Sequence, residues 1–217
     1  MLDVTTSPAG LFTDDNQVTR CVWCRATLTY QQYHDQEWGM PVSDDSHLFE
    51  KVCLEGFQAG LSWLTILNKR EAFRRAFADF DMDQVAAFDD SDVKRLLLDA
   101  GIVRHRGKIA SAINNAKRAR EMRQEFGTLA AYFWKFEPEV ATRPGQITHH
   151  KLQTMTTSAE SIAMSKDLRR RGWSFVGPTT MYAFMQAMGL VNDHVEGCAA
   201  RVTAAVAREA FKSPAAR

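Results

Sequence analysis

The chain contains no apolar run approaching the ~18 residues that a helix needs to span a bilayer, which excludes a helical membrane protein. Its opening, MLDVTTSPAGLFTDDNQVTR, lacks the basic start and apolar centre of a secretion signal. The expectation is a soluble, unexported, cytoplasmic protein with residues 1–20 as an unstructured extension. Cysteine is sparse: Cys21, Cys24, Cys53 and Cys198 are too scattered for a stapled small scaffold and point to thiols or metal ligands before disulfides. No stretch of strand length alternates with period two, and neither internal repeats nor low-complexity tracts occur, which disfavours β-sandwiches, barrels and solenoids. Net charge is only +1, from 27 Lys+Arg against 26 Asp+Glu, so bulk charge selects no partner.

What is present is an ordinary globular composition, 45% apolar and 24% charged over 217 residues, enough to bury a full core. Apolar residues recur at helical spacing almost throughout, so the predicted fold is mainly α. Ser43 or Asp44 caps a helix carrying Leu48, Val52 and Cys53 inward, with breaks expected at Glu55-Gly56 and Gly60. Further helices are predicted from Ser62 to Phe77, Asp83 to Phe88, Ser91 to Leu98, Arg106 to Phe126 and Leu129 to Phe136. Glu137 to Met155 reads as a long loop. Ser158 caps a helix ending at Gly172, Pro178 opens another, and a last helix begins near His194.

Charge is distributed in blocks. Asp35 to Asp90 holds twelve acidic and five basic residues, a balance of −7, and Lys94 to Arg123 holds nine basic and two acidic, a balance of +7. Solvated helix faces and a phosphate-facing surface both account for such blocks.

Three groups of residues carry chemistry. Cys21 with His34, and His194 with Cys198 four residues apart on one predicted helical face, make a Cys2His2 set that would fill a tetrahedral zinc and leave no open position. Buried free thiols, or a rival Cys21-x-x-Cys24 pair, remain alternatives. His149 and His150 read as exposed loop residues and Cys53 as a packed thiol. Next, Trp23, Tyr30, Tyr33, Trp38 and Trp63 crowd around the string LEGFQAGLSW; they are either core or the wall of a cleft for a flat or cationic ligand. Glu55 is the carboxylate best placed to enter such a cleft, unless it is merely an exposed acid in a last helical turn. Last, LLLDAGIVRHRGKI predicts a helix, a positive-φ turn at Gly101 plugged by Ile102, and a new helix. Its amides near Gly101 to Arg104, with Arg104, Arg106 and Lys108, would form an anion site, either as a helix-hairpin-helix spanning residues 91–120 or as a plain corner between helices.

The strings YHDQEWGMP, CLEGFQAGLSW, AGIVRHRGKI and FVGPTTMYAFMQAMGLVNDHVEGC occur in this order and at similar spacing in DNA-3-methyladenine glycosylase I, the Tag family, which the chain resembles from about Cys21 to Cys198. The resemblance implies a helix-hairpin-helix glycosylase domain over residues 21–200; a C-terminal helix and tail over 201–217 and a monomer are further expectations. It implies structural zinc on Cys21, His34, His194 and Cys198, without Cys24. It places the base pocket on Glu55, Tyr33 and Trp63, with Trp23, Tyr30 and Trp38 as neighbours, and Gly60-Leu61 near the gap left by an extruded nucleotide. The implied partner is double-stranded alkylated DNA, and the implied reaction is removal of 3-methyladenine to leave an abasic site. A non-catalytic, zinc-stabilised DNA-binding module that senses alkylated bases is the alternative. Relatives usually carry a polar residue where Phe57 stands here, which bears on either the pocket rim or the DNA wedge. The family lacks the catalytic Asp of related glycosylases, and no Lys nucleophile is assigned.

Overall fold

The computed structural model describes residues 9–214. In chain order they form β1 (Leu11–Thr13), β2 (Thr19–Cys21), α1 (Leu28–Gln36), α2 (Asp45–Gln58), α3 (Trp63–Ala76), α4 (Met82–Ala86), α5 (Asp90–Leu98), α6 (Arg106–Phe126), α7 (Leu129–Phe133), α8 (His149–Thr154), α9 (Ala159–Arg170), α10 (Pro178–Ala187) and α11 (Ala199–Ala210). The mainly helical expectation holds. No helix among the described residues is long and apolar enough to cross a membrane.

Two compact units share these elements. The first comprises the chain up to Pro41, Pro138–Thr156 and Gln186–Phe211. Here the expected unstructured extension is corrected for residues 9–20: β1 and β2 form an antiparallel hairpin with Leu11 opposite Cys21, while residues 1–8 lie outside the described residues. Three-residue strands are too short to show an alternation. The expected loop from Glu137 to Met155 carries α8, capped by Thr148, whose hydroxyl accepts from the Lys151 amide at 3.2 Å. His149, expected to be exposed, is half-buried on that helix, and His150 is exposed.

The second unit comprises Val42–Glu137 and Thr157–Met185. Its central element is α2, buried without interruption from Leu48 to Phe57. A helix enclosed on all sides must pair every charge it carries. Glu50 takes a forked pair of bonds from Arg74 Nε, at 3.0 and 3.1 Å, and Lys51 pairs with Glu55. The break expected at Glu55-Gly56 does not occur; the helix runs on to Gln58 because tertiary packing outweighs the glycine's poor propensity. Phe57 is 1% exposed and packs tilted against Phe73 and edge-on against Phe77, at ring distances of 4.6 and 5.7 Å, so it belongs to the core and does not line the Glu55 cleft.

Asp167 on α9 ties down the far side of this unit. Burial works to raise its pKa, but bonds from Arg170, Arg171 and Tyr132 prevail and hold it near about 2. Because the folded value lies below the ordinary 3.8, its stabilisation is present above that pH and is lost as pH falls toward 2. Asp167→Asn should therefore flatten the fall in melting temperature between about pH 4 and 2. An acid profile parallel to that of the unmodified protein would show that this carboxylate is not its source.

Candidate active site and metal centre

In the first unit, Cys21, His34, His194 and Cys198 are all buried, and their ligand atoms lie within 4.8 Å of one another. His34 comes from α1. His194 and Cys198 are not on one helix, as their spacing suggested: α11 starts at Ala199, and Cys198 is its N-terminal flanking residue. The segment before it turns tightly, with the Cys198 amide donating to Val195 O at 2.9 Å, and this turn aims both side chains inward. The asparagine, aspartate and glycine of NDHVEGC favour such a turn over a helix.

The outer nitrogens of both imidazoles are occupied. His34 Nδ1 lies 2.7 Å from Asp35 Oδ1, and His194 Nε2 lies 3.0 Å from Trp38 O. His34 Nε2 and His194 Nδ1 face each other at 3.2 Å. Cys198 Sγ lies 3.4 Å from the first and 3.7 Å from the second, and Cys21 Sγ lies 4.0 Å from His194 Nδ1. The Cys198 thiol is pulled far down, first by its hydrogen bond with Cys21 and, against burial, by those with His194 and His34. A lowered pKa favours the thiolate, the form that ligates metal. Two imidazoles and two cysteine sulfurs converging in a buried space are compatible with a metal site. Cys24 stands apart; its thiol donates to Cys21 O at 3.1 Å.

Four of the expected aromatic residues surround this cluster. The Trp23 ring meets Tyr30 at 4.9 Å, Trp38 and His34 at 5.1 Å, and Tyr33 at 6.5 Å, and the Trp38 ring meets His194 at 4.7 Å. Trp23 and Trp38 therefore wall the imidazoles.

In the second unit, a cleft of about 180 Å³ is lined by Glu55, Gln58, Ala59, Gly60, Leu61, Thr179, Thr180 and Ala183. Glu55 is 5% exposed, which excludes the surface-acid alternative. It is not a lone anion either: Lys51, one turn earlier on α2, puts its ammonium 2.9 Å from Glu55 Oε1 and 3.3 Å from the centre of the Trp63 ring. Sequence reasoning missed Lys51, although its i,i+4 spacing to Glu55 was the available signal. Gly60 has φ +79, and a side chain there would meet nothing within 4 Å; Leu61 beside it is 42% exposed. Together they form an open knuckle at the lip of the cleft.

The predicted anion site needs correction. Gly101 does not have positive φ; glycine is required because a Cβ there would lie 2.9 Å from Ala72 Cβ and from Asp99 Oδ1. Its amide already donates to Asp99 Oδ1 at 2.7 Å. Ile102 plugs the turn as expected, 3% exposed. Lys108 turns inward, donating to Phe57 O at 2.9 Å and Ala59 O at 2.5 Å, and burial lowers its pKa. It secures the end of α2 behind the Gly60-Leu61 knuckle and so faces no phosphate. Arg104 and Arg106 are exposed. Farther along α6 the basic block is partly paired: Arg120 and Arg123 each meet Asp83 at 2.8 Å, and Arg118 meets Glu121 at 2.8 Å.

A sequence family described as methyladenine glycosylase matches residues 23–202. The chain is 48% identical over 184 residues to DNA-3-methyladenine glycosylase 1 of Escherichia coli, covering 82% of this chain and 95% of that protein. It is similar to the crystal structure of a 3-methyladenine DNA glycosylase I, with TM-score 0.76, 47% identity, and 83% and 98% of the two chains covered. The corresponding enzyme from Staphylococcus aureus, solved for its recognition of 3-methyladenine, gives TM-score 0.74 at 35% identity over 81% and 93% of the chains. The architecture is thus of the helical DNA glycosylase class. Within that class, the chain belongs to the methyladenine glycosylase family.

Proposed function

We propose that this protein is a base-excision repair glycosylase that hydrolyses the N-glycosidic bond of 3-methyladenine in double-stranded alkylated DNA, leaving an abasic site without strand cleavage. The observation that carries this is a buried carboxylate, Glu55, opening on a cleft in a chain nearly half identical to enzymes named for that activity. The methylated base is cationic within DNA, so its bond to the sugar is already weak and it departs neutral. Little acid catalysis is required. Glu55 accepts hydrogen bonds from the base edge and stabilises positive charge developing on the sugar. Trp63 supplies an indole face beside it, and Tyr33, Trp23, Tyr30 and Trp38 are assigned to base recognition from the family resemblance. The cleft lining includes no lysine, which suits simple hydrolysis over an imine mechanism.

The lesion must leave the stack, and backbone contacts offset that cost. An exposed Leu61 beside the strain-free Gly60 suits insertion at the gap. The α5–turn–α6 segment serves as the helix-hairpin-helix, gripping phosphates through Arg104 and Arg106. The Cys2His2 cluster would hold one zinc with a structural role, since four ligands leave no position for a reacting water. The four ligand atoms lie within 4.8 Å of one another, close enough to share one cation. Four free buried thiols fit an intracellular enzyme.

Chromatography of bases released from methylated DNA tests the proposal. Free 3-methyladenine and an intact but alkali-labile strand are expected. DNA binding with no released base would instead favour a sensor that does not cut.

A further inference from the structure

Phe175, in the loop that leads into α10, breaks two rules at once. Among the described residues it is the only phenylalanine, tyrosine or tryptophan that is exposed, at 39%, and its backbone is left-handed, with φ +55. A bulky side chain strains that conformation, which persists only where the surroundings over-determine it. Here α6 and α9 do so. The Ser174 amide donates to Asn115 Oδ1 at 3.0 Å, and the Ser174 carbonyl accepts from Asn115 Nδ2 at 2.9 Å and Ser111 Oγ at 3.2 Å. On the other flank, Val176 O accepts from Ser165 Oγ at 2.6 Å. Trp173 and Val176 are buried, so the clamped loop turns Phe175 outward between them. The ring also accounts for Gly56: a Cβ there would lie 3.2 Å from Phe175 Cβ, so α2 carries glycine in mid-helix to let the loop approach. That approach sets Phe175 beside the last turn of α2, which ends in the Gly60-Leu61 knuckle. Lys108, which lines a small cavity with Phe175, Gly56 and Phe57, holds the Ala59 carbonyl at the foot of the knuckle. Four residues on, Thr179 and Thr180 line the Glu55 cleft.

We infer that Phe175 is a second DNA wedge: beside Leu61, its ring stacks on a base bordering the gap that the extruded nucleotide leaves. The inference rests on the proposed glycosylase function. Because the loop is clamped before DNA arrives, the contact costs little ordering of the side chain. A base offers its face only where the stack has been opened, so the ring favours the complex at an extruded nucleotide over the complex with undamaged duplex.

The test measures dissociation constants of the full chain for two duplexes of one sequence, the first undamaged and the second carrying a stable tetrahydrofuran abasic analogue. Phe175→Asn removes the ring and suits the left-handed backbone. It should bind the abasic duplex about tenfold more weakly, with affinity for the undamaged duplex held within about twofold. Phe175→Tyr keeps a stacking face and should stay within about twofold on both. Free 3-methyladenine should bind all three proteins alike. Should asparagine disturb the fold by circular dichroism, Phe175→Gly provides the same comparison. Unchanged affinity of the ring-less variant for the abasic duplex, equal losses on both duplexes, or a tyrosine variant as weak as the asparagine one overturns the inference. So does a parallel loss of affinity for the free base, which would make Phe175 a prop of the cleft. Base release by the unmodified protein separates the two levels: release with unmoved duplex affinities refutes only the role of Phe175, whereas absence of release refutes the glycosylase proposal beneath it.

Discussion

Glu55→Gln is expected to reduce release of 3-methyladenine from alkylated DNA by about 10²-fold or more. The substitution is isosteric and keeps an oxygen facing Lys51, so α2 retains its packing and most of its shape. The charge is what disappears. Lys51 then loses its carboxylate partner, and two unit charges about 5 Å apart at an effective dielectric near 20 repel by about 3 kcal/mol, or two orders of magnitude in rate. Stability also falls, because removing one partner of a buried ion pair costs more than the pair contributed; activity is therefore to be read well below the melting temperature, with circular dichroism confirming the helical fold. A folded variant with undiminished release would remove Glu55 from the reaction.

Cys198→Ser is expected to abolish stoichiometric metal and lower the melting temperature by about 10 °C. The cluster joins positions 160 residues apart, His34 and His194, so a metal held there would close a long loop, for which the closure entropy suggests a stabilisation of several kcal/mol. At about 2–4 °C per kcal/mol for a chain of this size, several kcal/mol gives a shift of that order. Cys24→Ser is the matched control. Its thiol donates to the Cys21 backbone carbonyl and is not one of the four clustered ligand atoms, so this variant should keep one equivalent of zinc. Metal analysis finding no zinc in the intact protein, with an unshifted Cys198→Ser melt, contradicts the structural-zinc assignment; loss of metal from Cys24→Ser would restore the Cys21-x-x-Cys24 alternative.

Much of the helical order was legible because caps and periodicity act locally. Ser62, His105, Thr128 and Ser158 each cap the helix that follows, so boundaries at those points follow from side chains next to them in sequence. What failed was decided by residues distant in sequence. Gly56 reads as a break, yet α2 continues through it because the surrounding core encloses the backbone. Lys108 reads as a phosphate ligand, yet Phe57 and Ala59 supply carbonyls that draw it inward from half a hundred residues away. The turn at Gly101 was placed correctly and explained wrongly: close approach of Ala72, not left-handed backbone, demands the glycine. The four residues read as candidate metal ligands do converge, while the imidazole partners Asp35 and Trp38 O have no sequence signal of their own.

Glu55, which lines the cleft, and Trp63, which it meets through Lys51, are the proposed seat of the methylated base. The most direct test is an NMR titration of the intact protein with free 3-methyladenine, following the five tryptophan indole signals and the Gly60 and Leu61 amides. The Trp63 indole and both amides should shift and saturate at one equivalent, and Glu55→Gln should weaken that response. Signals unmoved at saturating base, in a protein shown to be folded, would contradict the assignment of the cleft.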